Sequence, residues 1–315
     1  MTDGDGRESE ALASLLFFLR AQGYAFVTPT PETHGRVAAR PGSREAEDLR
    51  GIFGWSLAFR PDLVPAEVLQ PLIDAELIQL SGPLFKARIR VSSLHGQLFV
   101  HSAYPTDAED AVFFGPDSYR FVDFVRGELA RAPGTRRLVD IGAGAGVGAI
   151  MAAPLLPGAR LTLTDVNPRA LLYARVNAAH AGVAIETIEG SGLDAVTGPF
   201  DLAIANPPYI IDAKSRTYRD GGGMHGALLS LEWALTATER LAPGGRMLLY
   251  TGSAIVGGRD ALCEALEARL PALGATLRYR ELDPDIFGEE LSKPGYEDVE
   301  RIAAIGAVIT RAPST

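Results

Sequence analysis

From residue 136 onward, short apolar runs alternate with longer stretches of helical periodicity. Residues 136–142 (RRLVDIG), 159–166 (ARLTLTDV), 183–190 (VAIETIEG), 200–206 (FDLAIAN) and 245–252 (GRMLLYTG) each predict a strand. Residues 168–182 and 225–245 predict helices, with Pro168 near a first turn and Gly182 or Gly244-Gly245 as stops. After a further helix over 258–270, residues 275–282 and 301–311 supply the last two strands. Strand–helix alternation at this spacing implies right-handed crossovers and a sheet covered on both faces. The expected fold class is therefore α/β: a seven-stranded, mostly parallel, doubly wound Rossmann-like sheet, within a catalytic domain spanning 111–315.

The first 110 residues follow another pattern. Residues 9–23 are helical, with Leu12, Leu15, Leu16 and Leu19 on one stripe, and 65–82 are helical too, kinked or divided at Pro71. Residues 84–91 then alternate, with Phe85, Ala87, Ile89 and Val91 to one side, and 97–104 return after a turn. Helices followed by a hairpin predict an N-terminal α+β, winged-helix-like domain over 1–110. Its expected role is that of a lid, a substrate-binding module or a dimerisation module, and the oligomeric state stays open.

Charge narrows the partners. The chain has a formal net charge of −9, and residues 1–135 hold 13 basic and 18 acidic groups against 17 and 21 in the remainder. No basic domain or tail is present; the basic groups include one short cluster at 86–90 (KARIR) and scattered arginines such as Arg216 and Arg219. A nucleic-acid binder carries a basic footprint, so nucleic acid is disfavoured as a partner. The single cysteine, Cys263, sits at apolar helical spacing and reads as a packed thiol. The apolar run at 11–19 is too short for a membrane span and follows acidic residues, so the expected location is cytoplasmic.

Two stretches carry the chemistry. In 139–150 (VDIGAGAGVGAI) a strand runs into Gly142, Gly144 and Gly146, whose spacing allows a tight turn and close approach of a ligand to the backbone. An acid before the loop, Asp140, fits a pocket for S-adenosylmethionine (SAM) better than a dinucleotide fingerprint, because Val147 stands where the third dinucleotide glycine belongs. Asp165 ends the next strand, where a carboxylate accepts both ribose hydroxyls or, alternatively, caps the following helix. The fourth strand ends in Asn206-Pro207-Pro208-Tyr209. The Asn206 side-chain oxygen and the Pro207 carbonyl offer two acceptors, the prolines stiffen that arc, and Tyr209 adds a flat wall. Their complementary guest is a planar –NH₂ group, aimed at a methyl donor by positioning, with no metal.

Taken together, Asp140–Gly146, Asp165 and the Asn-Pro-Pro-Tyr run resemble class I SAM-dependent methyltransferases that methylate nitrogen. With residues 218–230 (YRDGGGMHGALLS), and with Pro116, Asp117 and Ser118 ahead of the first strand, the chain is similar to the release-factor glutamine methyltransferases, which belong with the methyltransferase small domain. The resemblance implies SAM as cofactor, held by Asp117, Asp140, Gly142, Gly144, Gly146, Asp165 and Asn206, with Asn206, Pro207 and Tyr209 as the catalytic set. It implies transfer to a glutamine-type amide or a guanidinium, on a protein or an amino-acid-like small molecule. Adenine-N6 methylation of RNA or DNA and a non-catalytic SAM-binding relative are the alternatives. Departures fall where the acceptor is chosen: Gly115 replaces the family's arginine, Met224-His225 stand near its glycine-stretch Asp, the fifth strand ends Tyr250-Thr251-Gly252, and 283–301 is unlike the family.

Overall fold

The computed structural model describes residues 3–41, 45–130, 134–211 and 219–314. Arg216 and Tyr218, singled out above, lie outside the described residues. The contacts divide the chain into two compact units, one of 1–120, 144–150 and 167–184, the other of 121–143, 151–166 and 185–315.

In the first unit, helix Asp3–Ala21 buries Leu12, Leu15, Leu16 and Leu19 completely, so the sequence stripe is the packed face. They join a core with Leu69 and Leu72 of helix Ala66–Asp74 and with Tyr173 and Val176 of helix Pro168–Ala181. Pro71 lies inside helix Ala66–Asp74 without dividing it, and the chain leaves the helix where Glu76 takes φ +58°. The end of the expected helix over 65–82 is instead strand β1 (Ile78–Ser81), paired with β2 (Leu84–Ala87). A second hairpin joins β3 (Ile89–Leu94) to β4 (Gln97–Ser102). The expected single strand over 84–91 is thus two strands with different partners. Nor does burial alternate along it: Leu84, Phe85 and Lys86 are all half-buried, and Arg90 and Ser92 are buried along with Ile89 and Val91. Asn177 fastens this unit from within. Its Oδ1 accepts the Val100 N–H at 2.8 Å, and its Nδ2 donates to Val100 O at 3.1 Å and Ala145 O at 2.9 Å.

The second unit is built on one sheet of β5 (Arg137–Ile141), β6 (Arg160–Asp165), β7 (Glu186–Glu189), β8 (Phe200–Ala205), β9 (Leu241–Val256), β10 (Arg259–Asp260), β11 (Ala275–Asp283) and β12 (Arg301–Arg311). Seven strands run in the order β11-β12-β9-β8-β5-β6-β7, with β10 attached to β9. The five strands β7, β6, β5, β8 and β9 are mutually parallel, and β12 is antiparallel to both its neighbours. This is the α/β, mostly parallel sheet expected from the alternation.

Candidate active site

Strand order reverses beside β5: β6 and β7 extend one way, and the chain then returns to add β8 on the other side. In open sheets of this kind, ligands bind at the carboxyl strand ends beside such a reversal. Ile141 at the end of β5 faces Thr164 of β6 and Ala205 of β8. The next residue in each strand direction is therefore Gly142, Asp165 or Asn206, and the three form one row along the carboxyl edge.

Gly142 adopts φ +65°, and a Cβ there would lie 2.6 Å from the Trp233 ring, so the position excludes any side chain. Ala143 N–H donates to Thr164 O at 2.9 Å, folding the loop over the end of β6. Gly144 takes φ +53°, and nothing stands within 4 Å of where its Cβ would be. Gly146, counted with the first unit, packs so closely that its Cβ would be 3.0 Å from the Ala174 methyl. Asp140 is buried within β5, while Asp165 is half-buried. The helix after β6 is capped by Asn167, whose Oδ1 accepts the Arg169 N–H at 3.0 Å. Asp117 lies in the first turn of helix Pro116–Leu129, buried, 3.5 Å from Arg120, and belongs to the first unit.

The Asn-Pro-Pro-Tyr run leaves β8 directly. Asn206 is half-buried, and among the described residues its side chain makes no hydrogen bond. Pro207 and Tyr209 are buried. The Tyr209 ring lies on the backbone of β9, where a Cβ on Gly252 would come within 2.3 Å of it. Phe287 also meets it, edge-on, with centroids 6.0 Å apart and planes at 67°. The glycine stretch closes on the same residue: a Cβ on Gly226 would lie 2.3 Å from Tyr209 O. Within that stretch Met224 and His225 take φ +56° and +53°, and His225 Nε2 is 3.0 Å from Asp298 Oδ1.

Sequence reasoning missed Trp233, Phe287 and Tyr296, whose hydroxyl oxygen accepts the Ile211 N–H at 2.8 Å. The signal for the last two was their placement, aromatic residues within the polar segment already marked as foreign. Cys263 is half-buried, and burial followed by the nearby Glu267, Asp260 and Glu264 raises its thiol to about 11, so it is a poor nucleophile at neutral pH. Among the described residues no group of three or more His, Cys, Asp or Glu is placed to hold a metal, and no helix is long and apolar enough to cross a membrane.

The methyltransferase small domain is matched over residues 128–267. A release factor glutamine methyltransferase of Deinococcus radiodurans is 31% identical over 208 residues, covering 65% of this chain and 73% of that protein. The chain belongs to this family of class I SAM-dependent methyltransferases. SAM is its methyl donor. A ribosomal RNA small subunit methyltransferase C of Serratia proteamaculans is also similar, 34% identical over 179 residues, or 56% of this chain and 41% of that protein. Among solved structures, a putative transferase from Pyrococcus horikoshii aligns with 81% of this chain and 86% of its own at a TM-score of 0.51; at 11% identity that likeness concerns the fold alone.

Proposed function

We propose that this methyltransferase transfers a methyl group to a planar side-chain nitrogen, a glutamine-type amide, on a protein. The observation that carries this reading is Asn206: a half-buried amide with no side-chain hydrogen bond among the described residues, one position past Ala205, which pairs with Ile141 at the reversal of strand order, and followed by Pro207 and Tyr209. Bound SAM supplies a methyl group made electrophilic by its sulfonium. Asp165 would accept hydrogen bonds from the ribose hydroxyls of the cofactor, with Asp140 and Gly142 of the same unit beside it. The Asn206 Oδ1 and the Pro207 carbonyl accept the two N–H bonds of the acceptor, while the Tyr209 ring lies against its face. Holding both hydrogens draws the nitrogen out of its plane and turns its lone pair to the methyl; as the N–C bond forms, the S–C bond of the sulfonium would break to leave a neutral thioether, and one N–H proton would pass to water, so catalysis is mostly positioning. The release factor named for the Deinococcus relative is the first acceptor to test.

The similarity to a ribosomal RNA methyltransferase favours a second reading, methylation of an RNA exocyclic amine. The net charge of −9 speaks against it. Labelled methyl from SAM, offered with purified bacterial release factor and separately with small-subunit ribosomal RNA, distinguishes the two. Label in the protein supports the amide reading, and label confined to the RNA overturns it. With either acceptor, Asn206→Ala should lower the single-turnover rate on the order of 10²–10³-fold, because the lost hydrogen bond strengthens in the transition state. A wild-type rate in that variant would remove Asn206 from the mechanism.

A further inference from the structure

Residues 284–300 join β11 to β12 as an irregular excursion with one short helical turn, Gly288–Ser292. The excursion is fixed at several points around the Asn-Pro-Pro-Tyr run. The Tyr296 hydroxyl oxygen accepts the Ile211 N–H at 2.8 Å, two residues past Tyr209. Glu290, buried, pairs with Arg219 and, at 2.7 Å, with Lys293. Asp298 meets His225 at 3.0 Å, and Ile286 N–H donates to Ile302 O at 2.8 Å. Between these ties stands Phe287 at φ +54°, ψ +39°.

A bulky residue in the left-handed region is an outlier, and glycine or asparagine would occupy it at far lower cost. Such strain persists only where the surroundings over-determine it, and it gathers at ligand clamps and active sites. Here it turns a half-buried phenyl ring edge-on to Tyr209. A purely structural filler would be better served by a relaxed backbone and full burial. We propose that Phe287 is a specificity-determining residue, which forms with Tyr209 an aromatic corner receiving the planar nitrogen-bearing group of the acceptor. This rests on the reading of Asn206, Pro207 and Tyr209 as the acceptor site, and it adds that the foreign segment selects the acceptor.

Three variants test it: Phe287→Gly, which relaxes the backbone and removes the ring, Phe287→Leu, which keeps bulk without the ring, and Phe287→Tyr, which keeps the ring. Each is measured for melting temperature, for SAM affinity by calorimetry, and for half-saturation with whichever lysate fraction the wild-type enzyme labels. The expected result is a rise in acceptor half-saturation of roughly three- to tenfold for Gly and Leu, the factor one aromatic contact is worth. SAM affinity stays unchanged, Tyr restores wild-type behaviour, and Phe287→Gly melts no lower than Phe287→Leu. If Leu matches the wild type in half-saturation, or if Gly loses stability and SAM affinity together, Phe287 is a packing residue and the proposal fails. Label appearing in RNA would overturn the protein acceptor while leaving the comparison of the three variants intact.

Discussion

Asp165 and Asn206 stand in one row but are assigned to different partners, and their variants should fail differently. A carboxylate accepting two ribose hydroxyls makes charge-assisted hydrogen bonds, each about 1.5–3 kcal/mol. Asp165→Ala should therefore weaken SAM binding by tenfold or more in calorimetry while the circular dichroism spectrum is unchanged, since the side chain is only half-buried. Unaltered SAM affinity would show that the strand-end carboxylate is not a ribose ligand. The strand-end placement of both residues was legible in the sequence because each ends a short apolar run, and a strand end needs no long-range knowledge to locate. Phe287 was not. Its meaning depends on Tyr209, 78 positions earlier in the chain, and on a backbone angle that no residue pattern announces.

At the scale of elements, β9 departs most from its expectation. The helix read over 225–245 ends at Arg240, and Leu241–Val256 is one strand, because Leu241 pairs with Phe200 before a register shift brings Arg246 opposite Leu202. The glycines at 244 and 245 looked like helix stops, and the pairing partner that overrides them is far away in sequence. The far end of β9 holds Gly252 against the Tyr209 ring, at the place where the related family tends to carry Glu-x-Gly. A methyl group on Gly252 would sit 2.3 Å from Tyr209 Cδ2 and must displace either the ring or the strand. Gly252→Ala should cost about 1–3 kcal/mol in urea unfolding through overpacking. If Tyr209 is the acceptor wall proposed above, the variant should also slow methyl transfer by moving that ring. Adding Tyr209→Ala removes the obstacle, so the stability costs of the two substitutions should be strongly non-additive. Simple additivity would mean that the ring is not what Gly252 accommodates.

For the molecule as a whole, the alternation of strands and helices made the sheet and its carboxyl edge readable, while the partition of the core was not. Helix Pro168–Ala181, which sequence order places between two strands of the sheet, is counted with the first unit, where Asn177 ties it to β4 and to Ala145. A buried amide serving three backbone groups leaves no periodic trace. That first unit also encloses two histidines whose burial bears on how it responds to acid. His34 is fully buried, stacked on Tyr104 with ring centroids 4.0 Å apart. Burial, helped by Arg90 and Lys86 and opposed by the Trp55 backbone, lowers its pKa from 6.5 to about 4. His101, buried between Ser92 and Phe114, is held well below its ordinary value, first by burial and then by Arg90. The folded state thus keeps both rings neutral, whereas the unfolded chain protonates them as pH falls through 6.5. Stability from their neutrality is complete above that value and is lost on acidification towards the folded pKa. For His34 the loss reaches about 3 kcal/mol once pH has dropped to about 4. His34→Phe keeps the stacked ring without the titration, so its urea midpoint should fall less than that of the wild type between about pH 7 and about pH 4. Parallel decline of the two proteins over that range would show that His34 takes up its proton without unfolding the site around it.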